Sequence, residues 1–256
     1  MRKVLLVLLL LPAAYSQGRG AGRGGAITTP KASAAIDITG YWVSVVTEDW
    51  MFRMVTPPKG QYLGVPLNAA ARRVADAWDP AKDEAAGEQC KSYGAAAVMR
   101  VPGKLHITWD NDATLKIETE AGTQTRLLRF GQAGAPPSDA PSAQGHSVAQ
   151  WELAGGARGA RGRQGPSTGA GQGNLKVVTT RMRAGYLQKN GVPYSGNAVL
   201  TEYFSRTLEP NGDSWLILTS IVDDPQYLTG PFIRSTHYKK LPDTNTTWEP
   251  EPCSAR

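Results

Sequence analysis

In the stretch AVLTEYFSR, Glu202 shares one face of a strand with Ala198, Leu200 and Phe204. A carboxylate on an apolar stripe must be paired, hydrogen-bonded or protonated, because burial penalises its charge. Arg126 stands in the same position on another strand, on a face with Gln124, Leu128 and Phe130, and is its natural partner. Such a pair either orients a polar group of a ligand, moves a proton in a cavity, or closes an ion pair in the core. Asp224, in Asp223-Asp224-Pro225, follows a strand and offers a second carboxylate for a cation or a substrate; Asp-Pro is also a common opener of turns. The acid/base candidates are therefore Glu202 and Asp224. The ligand-binding candidates are Trp42, His106, Arg126, Trp151, Glu202 and Tyr203, with core packing as the competing role for the aromatic residues.

Other chemistry has little support. His106, His146 and His237 are too far apart for a local metal motif. There is no Gly-x-Ser-x-Gly elbow, no phosphate-binding Gly-Lys-Ser/Thr loop and no dinucleotide fingerprint on a strand–helix unit. No metal and no cofactor is expected. Asn245-Thr246-Thr247 fits a glycosylation acceptor, a three-residue pattern that chance often supplies.

The elements that would carry these residues are almost all strands. Tyr41–Thr47 is rich in β-branched and aromatic residues, and KLHITWD, TLKIETE and TQTRLLRF read as a meander joined by tight turns. HSVAQWE, LKVVTTRM, AVLTEYFSR, SWLILTSIV and FIRSTHYKK follow, which makes nine strands in all. The expected fold is all-β, an antiparallel up-and-down barrel of 8–10 strands, lipocalin-like, with one short helical insertion over residues 67–87. In that insertion Leu67, Ala71, Val74, Ala75 and Trp78 recur at helical spacing, Asn68 is the expected N-cap, and Asp79-Pro80 ends the first helix. The helix is expected to lie across one end of the barrel.

The chain has 28 Lys and Arg against 22 Asp and Glu, but the excess is local. Arg2, Lys3, Arg19, Arg23, Lys31, Arg158, Arg161 and Arg163 all lie in segments without an acid; setting these eight aside leaves 20 basic residues against 22 acidic. A folded part near neutrality excludes nucleic acid as the expected partner. Residues 1–16 read as a signal peptide, with a basic pair before an apolar run too short to span a bilayer and cleavage expected between Ser16 and Gln17. The mature chain is expected to be exported, periplasmic or secreted, with no transmembrane segment. Residues 17–35 read as a disordered Gly/Arg/Ala leader and 36–256 as one barrel domain. Within that domain, residues 154–173 read as a disordered hairpin loop, because a long insertion at a hairpin tip costs little loop-closure entropy. Weak contact of these Arg/Gly segments with acidic envelope polymers is the functional option they leave. In an exported chain, Cys90 and Cys253 are expected to form a disulfide that ties the C-terminal tail to the middle of the chain.

Two resemblances follow. Gly145, Ser147, Trp151 and Glu152, then Leu175 and Val177, then Gly191, Pro193 and Ser195, then Glu202, then Asp224, Pro225, Thr229 and Pro231 resemble the pattern of a widespread set of exported bacterial proteins. That resemblance implies kinship and an envelope location but no reaction, ligand or partner. Gly40-Tyr41-Trp42 at the start of the first strand resembles the Gly-x-Trp opening of lipocalins, which implies that Arg234 on the last strand packs on Trp42.

Three functions are compatible with these readings. The first is an exported barrel that binds a small, partly apolar or amphipathic molecule in its interior. The second is a cavity enzyme, a lyase, isomerase or hydrolase working through Glu202 or Asp224. The third is a non-catalytic interaction module of the cell envelope whose barrel is packed solid. The first two require an open lumen, and the third does not.

Overall fold

The computed structural model describes residues 28–131, 140–153 and 173–256. Nine strands close into one barrel: β1 (Gly40–Val45), β2 (Lys104–Asn111), β3 (Thr114–Thr119), β4 (Gln124–Phe130), β5 (His146–Leu153), β6 (Gly173–Thr180), β9 (Val199–Leu208), β10 (Ser214–Asp223) and β11 (Phe232–Lys240). A separate hairpin, β7 (Gly185–Gln188) and β8 (Val192–Tyr194), stands outside that sheet. These nine barrel strands are the nine that the alternation of apolar and polar residues predicts.

Going round the barrel, the order is β1-β11-β10-β9-β6-β5-β4-β3-β2. Strand direction cannot alternate all the way round a ring with an odd number of members, so at least one neighbouring pair must be parallel. That pair is β4 with β5, in which Leu128 faces Ser147 and Phe130 faces Ala149; every other pair is antiparallel. It falls at the connection 131–145, because parallel neighbours need a crossover and cannot be joined by a tight turn. The barrel is thus up-and-down except at this one seam.

The period-2 pattern divides each strand between two environments. On β10, Leu216, Leu218 and Val222 point inward and are buried, while Trp215, Ile217 and Ile221 on the outer face are half-buried. Trp42, Ile107, Leu115, Ile117, Leu128, Leu175, Val177, Phe204, Leu216, Leu218 and Tyr238 form one continuous interior cluster. At the end of the barrel that carries the β2–β3 and β9–β10 turns, Trp109, Phe130 and Trp151 meet as a tilted aromatic group, with Phe130 and Trp151 centroids 5.0 Å apart. Trp151 Nε1 donates to Pro30 O at 2.9 Å, and Lys31 N donates to Asp112 O. The expected leader therefore needs correction at its C-terminal end: Thr28–Ala35 includes a turn seated on this mouth of the barrel, held because it supplies a carbonyl to an otherwise unpartnered indole. Residues 1–27, with the expected signal peptide, lie outside the described residues. So do 154–172 of the expected hairpin loop; Gly173 already belongs to β6.

The opposite end is covered by short helices. α1 (Trp50–Arg53), α2 (Ala69–Asp76), α3 (Pro80–Ala85), a 3₁₀ turn over Lys91–Tyr93 and α4 (Ala95–Val98) lie between β1 and β2 in the chain. Asn68 caps α2 through Oδ1, which accepts from Ala71 N at 2.9 Å, and Asp79 does the same for α3 through Ala81 N. Ala71 and Ala75 are buried, whereas Val74 faces solvent, so the buried stripe of α2 is narrower than the spacing predicts. This helix packs with Tyr62, Leu67, Leu187, Val192, Tyr194, Leu228 and Phe232 into a second core, which joins the barrel through Leu200 and Val222. The disulfide Cys90–Cys253 forms as expected and closes a span of 163 residues.

Candidate functional site

Arg126 and Glu202 are both inside the barrel, each about 1% exposed. They are held by β4 and β9, which are separated on the ring by β5 and β6, so their contact crosses the interior. It is bidentate: Nη1 donates to Oε1 at 2.9 Å and Nη2 to Oε2 at 2.5 Å. A planar fork against a carboxylate is the geometry that best offsets the desolvation of both charges. The pair therefore fills space that a ligand or a reacting group would need.

Asp224 is equally committed. Its Oδ2 accepts from Ser195 N at 2.6 Å, and its Oδ1 accepts from Ser195 Oγ at 2.8 Å and Gln226 N at 3.1 Å. The carboxylate ties the end of β10 to the segment after β8 and shapes the turn in which Leu228 N donates to Asp224 O. Both acid/base candidates thus hold their carboxylates against protein donors on both oxygens.

The remaining candidates are divided by the barrel wall. Trp42 points inward, fully buried, with Nε1 donating to Ile38 O, and Trp151 closes the mouth. His106 and Tyr203 point outward: His106 stacks on Tyr41 with ring centroids 4.1 Å apart, and Tyr203 lies under Lys176. Arg234 does not pack on Trp42, as the lipocalin resemblance implies. Lys240 occupies that place, 5.2 Å from the ring centroid. Arg234 instead lies 4.3 Å over Phe232 and pairs with Asp49 at 2.6 Å, because the turn before α1 brings a carboxylate to it. Among the described residues no three His, Cys, Asp or Glu side chains converge as a metal site, and no helix is long and apolar enough to cross a membrane.

Two cavities among the described residues bear on this question, and neither is lined by the barrel interior. One is an open groove of about 690 Å³ along the tail, lined by Lys104, Leu241, Pro242, the 244–247 turn and Glu249. The other holds about 20 Å³ and lies between α1, α4 and β7, lined in part by Phe52, Arg53, Arg100, Leu187, Gln188 and Lys189.

Beside the smaller cavity is the largest run of exposed apolar residues among the described residues. Trp50 (61% exposed), Met51, Met54 and Val55 follow one another along α1 and its exit. Leu63 (78% exposed) and Ile233 are exposed as well, and Arg234 links β11 to Gly64 O at 2.6 Å and to Asp49. The segment WMFRMV carries this signal in the sequence, yet its apolar residues keep neither a strand nor a helix period, so only the fold shows which of them are left uncovered.

No family model, no curated protein and no solved structure matches this chain.

Proposed function

We propose that this protein is a non-catalytic interaction module that works through its outer surface, at the helix-covered end of the barrel. The observation that carries this reading is the Arg126–Glu202 fork within the apolar interior, which commits a buried ionisable pair of the lumen to structure. Contiguous exposed apolar residues such as Trp50, Met51, Met54 and Val55 commonly mark contact surfaces. The occupant we assign is a protein partner that brings an apolar side chain to Trp50 and Met54 and a negative charge to the arginines behind them. Arg53, Arg100 and Arg234 outnumber Glu48 and Asp49 behind that surface, and this local excess of positive charge favours an acidic partner. The export expected from the sequence, and the resemblance of its pattern to exported bacterial proteins, support the cell envelope as the place of such a partner.

Photo-crosslinking from position 51 in the native host tests the reading. One discrete adduct is expected, lost in the Trp50→Ser/Met54→Ser variant and absent when the probe replaces Gln150 on β5. The same adducts from both positions would overturn it.

A second reading keeps a small amphipathic ligand but moves it to the groove along the tail, whose volume lies in the usual range for ligand sites. It is supported by the aromatic group of Tyr41, His106 and Trp248 on the same side of the barrel, near Lys104. Native mass spectrometry of host-purified protein would then show an adduct that Trp248→Ala removes.

A further inference from the structure

The small cavity between α1, α4 and β7 has an unusual lining. Arg53 and Arg100 are both more than nine-tenths buried, and so is Gln188. Each keeps a buried polar atom without a protein partner: Nη2 of Arg53, Nε of Arg100, and both the oxygen and the nitrogen of the Gln188 amide. Buried polar atoms are nearly always partnered, so three such side chains around one cavity point to an absent occupant.

The surrounding charges indicate which occupant. Arg53 pairs with Glu48 and donates through Nε to Arg100 O at 2.9 Å. Arg100 reaches Asp49 at 3.3 Å and Leu187 O at 3.3 Å. Neither acid is exclusive: Glu48 also meets His237 at 3.2 Å, and Asp49 also meets Arg234 at 2.6 Å. Three guanidinium groups thus share two carboxylates, and Lys189 on the cavity wall adds a further positive charge. Burial, with Arg234 and Arg53 close by, lowers the Arg100 pKa to about 10 despite Asp49. Asp49 itself has a left-handed backbone, φ 49°, a conformation uncommon for a non-glycine residue.

We propose that this cavity is an anion site that takes a carboxylate, offered by the acidic partner assigned above. This rests on the surface-docking reading for the source of the carboxylate but not for the chemistry of the site. A volume of about 20 Å³ has room for about two oxygen-sized atoms, which fits the two oxygens of a carboxylate entering head-on and excludes the four of a tetrahedral sulfate or phosphate. A planar carboxylate matches what is left over, namely guanidinium N–H groups of Arg53 and Arg100 and the amide N–H of Gln188. Phe52 and Arg53 line the cavity from α1, and the exposed Trp50, Met51 and Met54 are their neighbours in the chain, available to the group that bears the carboxylate.

Formate is the probe, with formamide as its neutral counterpart, read by the Nε–H resonances of Arg53 and Arg100 in the full chain. Formate should give saturable shifts of both resonances, formamide and sulfate none. Gln188→Met, which keeps the volume, should weaken formate by about tenfold through loss of one hydrogen bond to a charged group. Asp49→Asn should strengthen it by freeing Arg100. Shifts with formamide equal to those with formate would mean that the cavity holds only water and would overturn the proposal. So would tighter binding of chloride than of formate, or formate binding unchanged in Gln188→Met. Formate binding without any crosslink at position 51 would leave the anion site standing and remove the docking reading.

Discussion

Arg126 and Glu202 meet as a two-pronged fork inside the barrel, at 2.9 and 2.5 Å, with neither side chain reaching solvent. A buried pair of this kind has opposite consequences when one partner is removed and when both are. Glu202→Gln leaves the Arg126 charge uncompensated and should cost about 3–5 kcal/mol. Replacing both, as Arg126→Met with Glu202→Leu, should recover most of that loss, because packed apolar residues of similar volume avoid the desolvation of two ions. Urea denaturation of the two variants measures both effects. A Glu202→Gln protein as stable as the parent would return Glu202 to the list of functional carboxylates.

Gly191 meets Trp78 where the β7–β8 hairpin turns against the end of α2. Its φ is +84°, and a Cβ built there would lie 2.3 Å from both Cβ and Cγ of Trp78. Gly191→Ala should therefore lower stability by roughly 1–3 kcal/mol, from left-handed backbone strain together with displacement of the indole. The thermal midpoint should fall, and the near-ultraviolet dichroism of the tryptophans should change with it.

These contacts show what was legible in the chain. The nine barrel strands follow from alternation, and Glu202 with Arg126 follows from finding two charges on apolar strand faces. Gly145, Ser147 and Ser195, three residues of the pattern read in the sequence, have structural roles. Gly145 turns with φ +59° against Thr180 O, Ser147 Oγ lies 2.8 Å from Thr179 Oγ1, and Ser195 is held by Asp224. Such residues specify the fold and say little about ligand chemistry. The parallel seam at β4–β5 was less visible, because pairing direction is a property of the whole ring and no single strand encodes it. The β7–β8 hairpin was hidden by its brevity and its Pro193. The arginine cavity was hidden for another reason: Arg53, Arg100 and Gln188 are far apart in sequence and none lies in a recognisable motif.

The disulfide should act mainly on the tail. Cys90–Cys253 closes a span of 163 residues, for which the chain-entropy model gives an upper figure of about 5 kcal/mol. The tail is otherwise attached by Glu251 N to Glu120 O, Thr123 Oγ1 to Glu251 O and Glu249 N to Glu120 Oε1. In a Cys90→Ser/Cys253→Ser protein, amide exchange at Glu249 and Glu251 should therefore accelerate more than exchange in β9 and β10. Uniform acceleration across the barrel would show that the crosslink supports the whole fold equally.

His146 should give stability a slope against pH. It begins β5 at the seam, buried and facing Thr180, and burial lowers its pKa from the ordinary 6.5, with Arg129 and Arg181 adding to the effect. The sign follows from proton counting. As pH falls through about 6.5 the unfolded chain takes up a proton on this ring while the folded chain does not. Proton uptake thus favours unfolding, and the contribution is lost progressively until the pH reaches the lower folded value. Stability measured by urea midpoints should decline from neutral pH into this window. His146→Gln, which keeps a polar side chain without a titrating ring, should flatten the decline relative to the parent. Because His106 and His237 remain in both proteins, the difference between the two curves isolates His146, and two parallel curves would overturn the assignment.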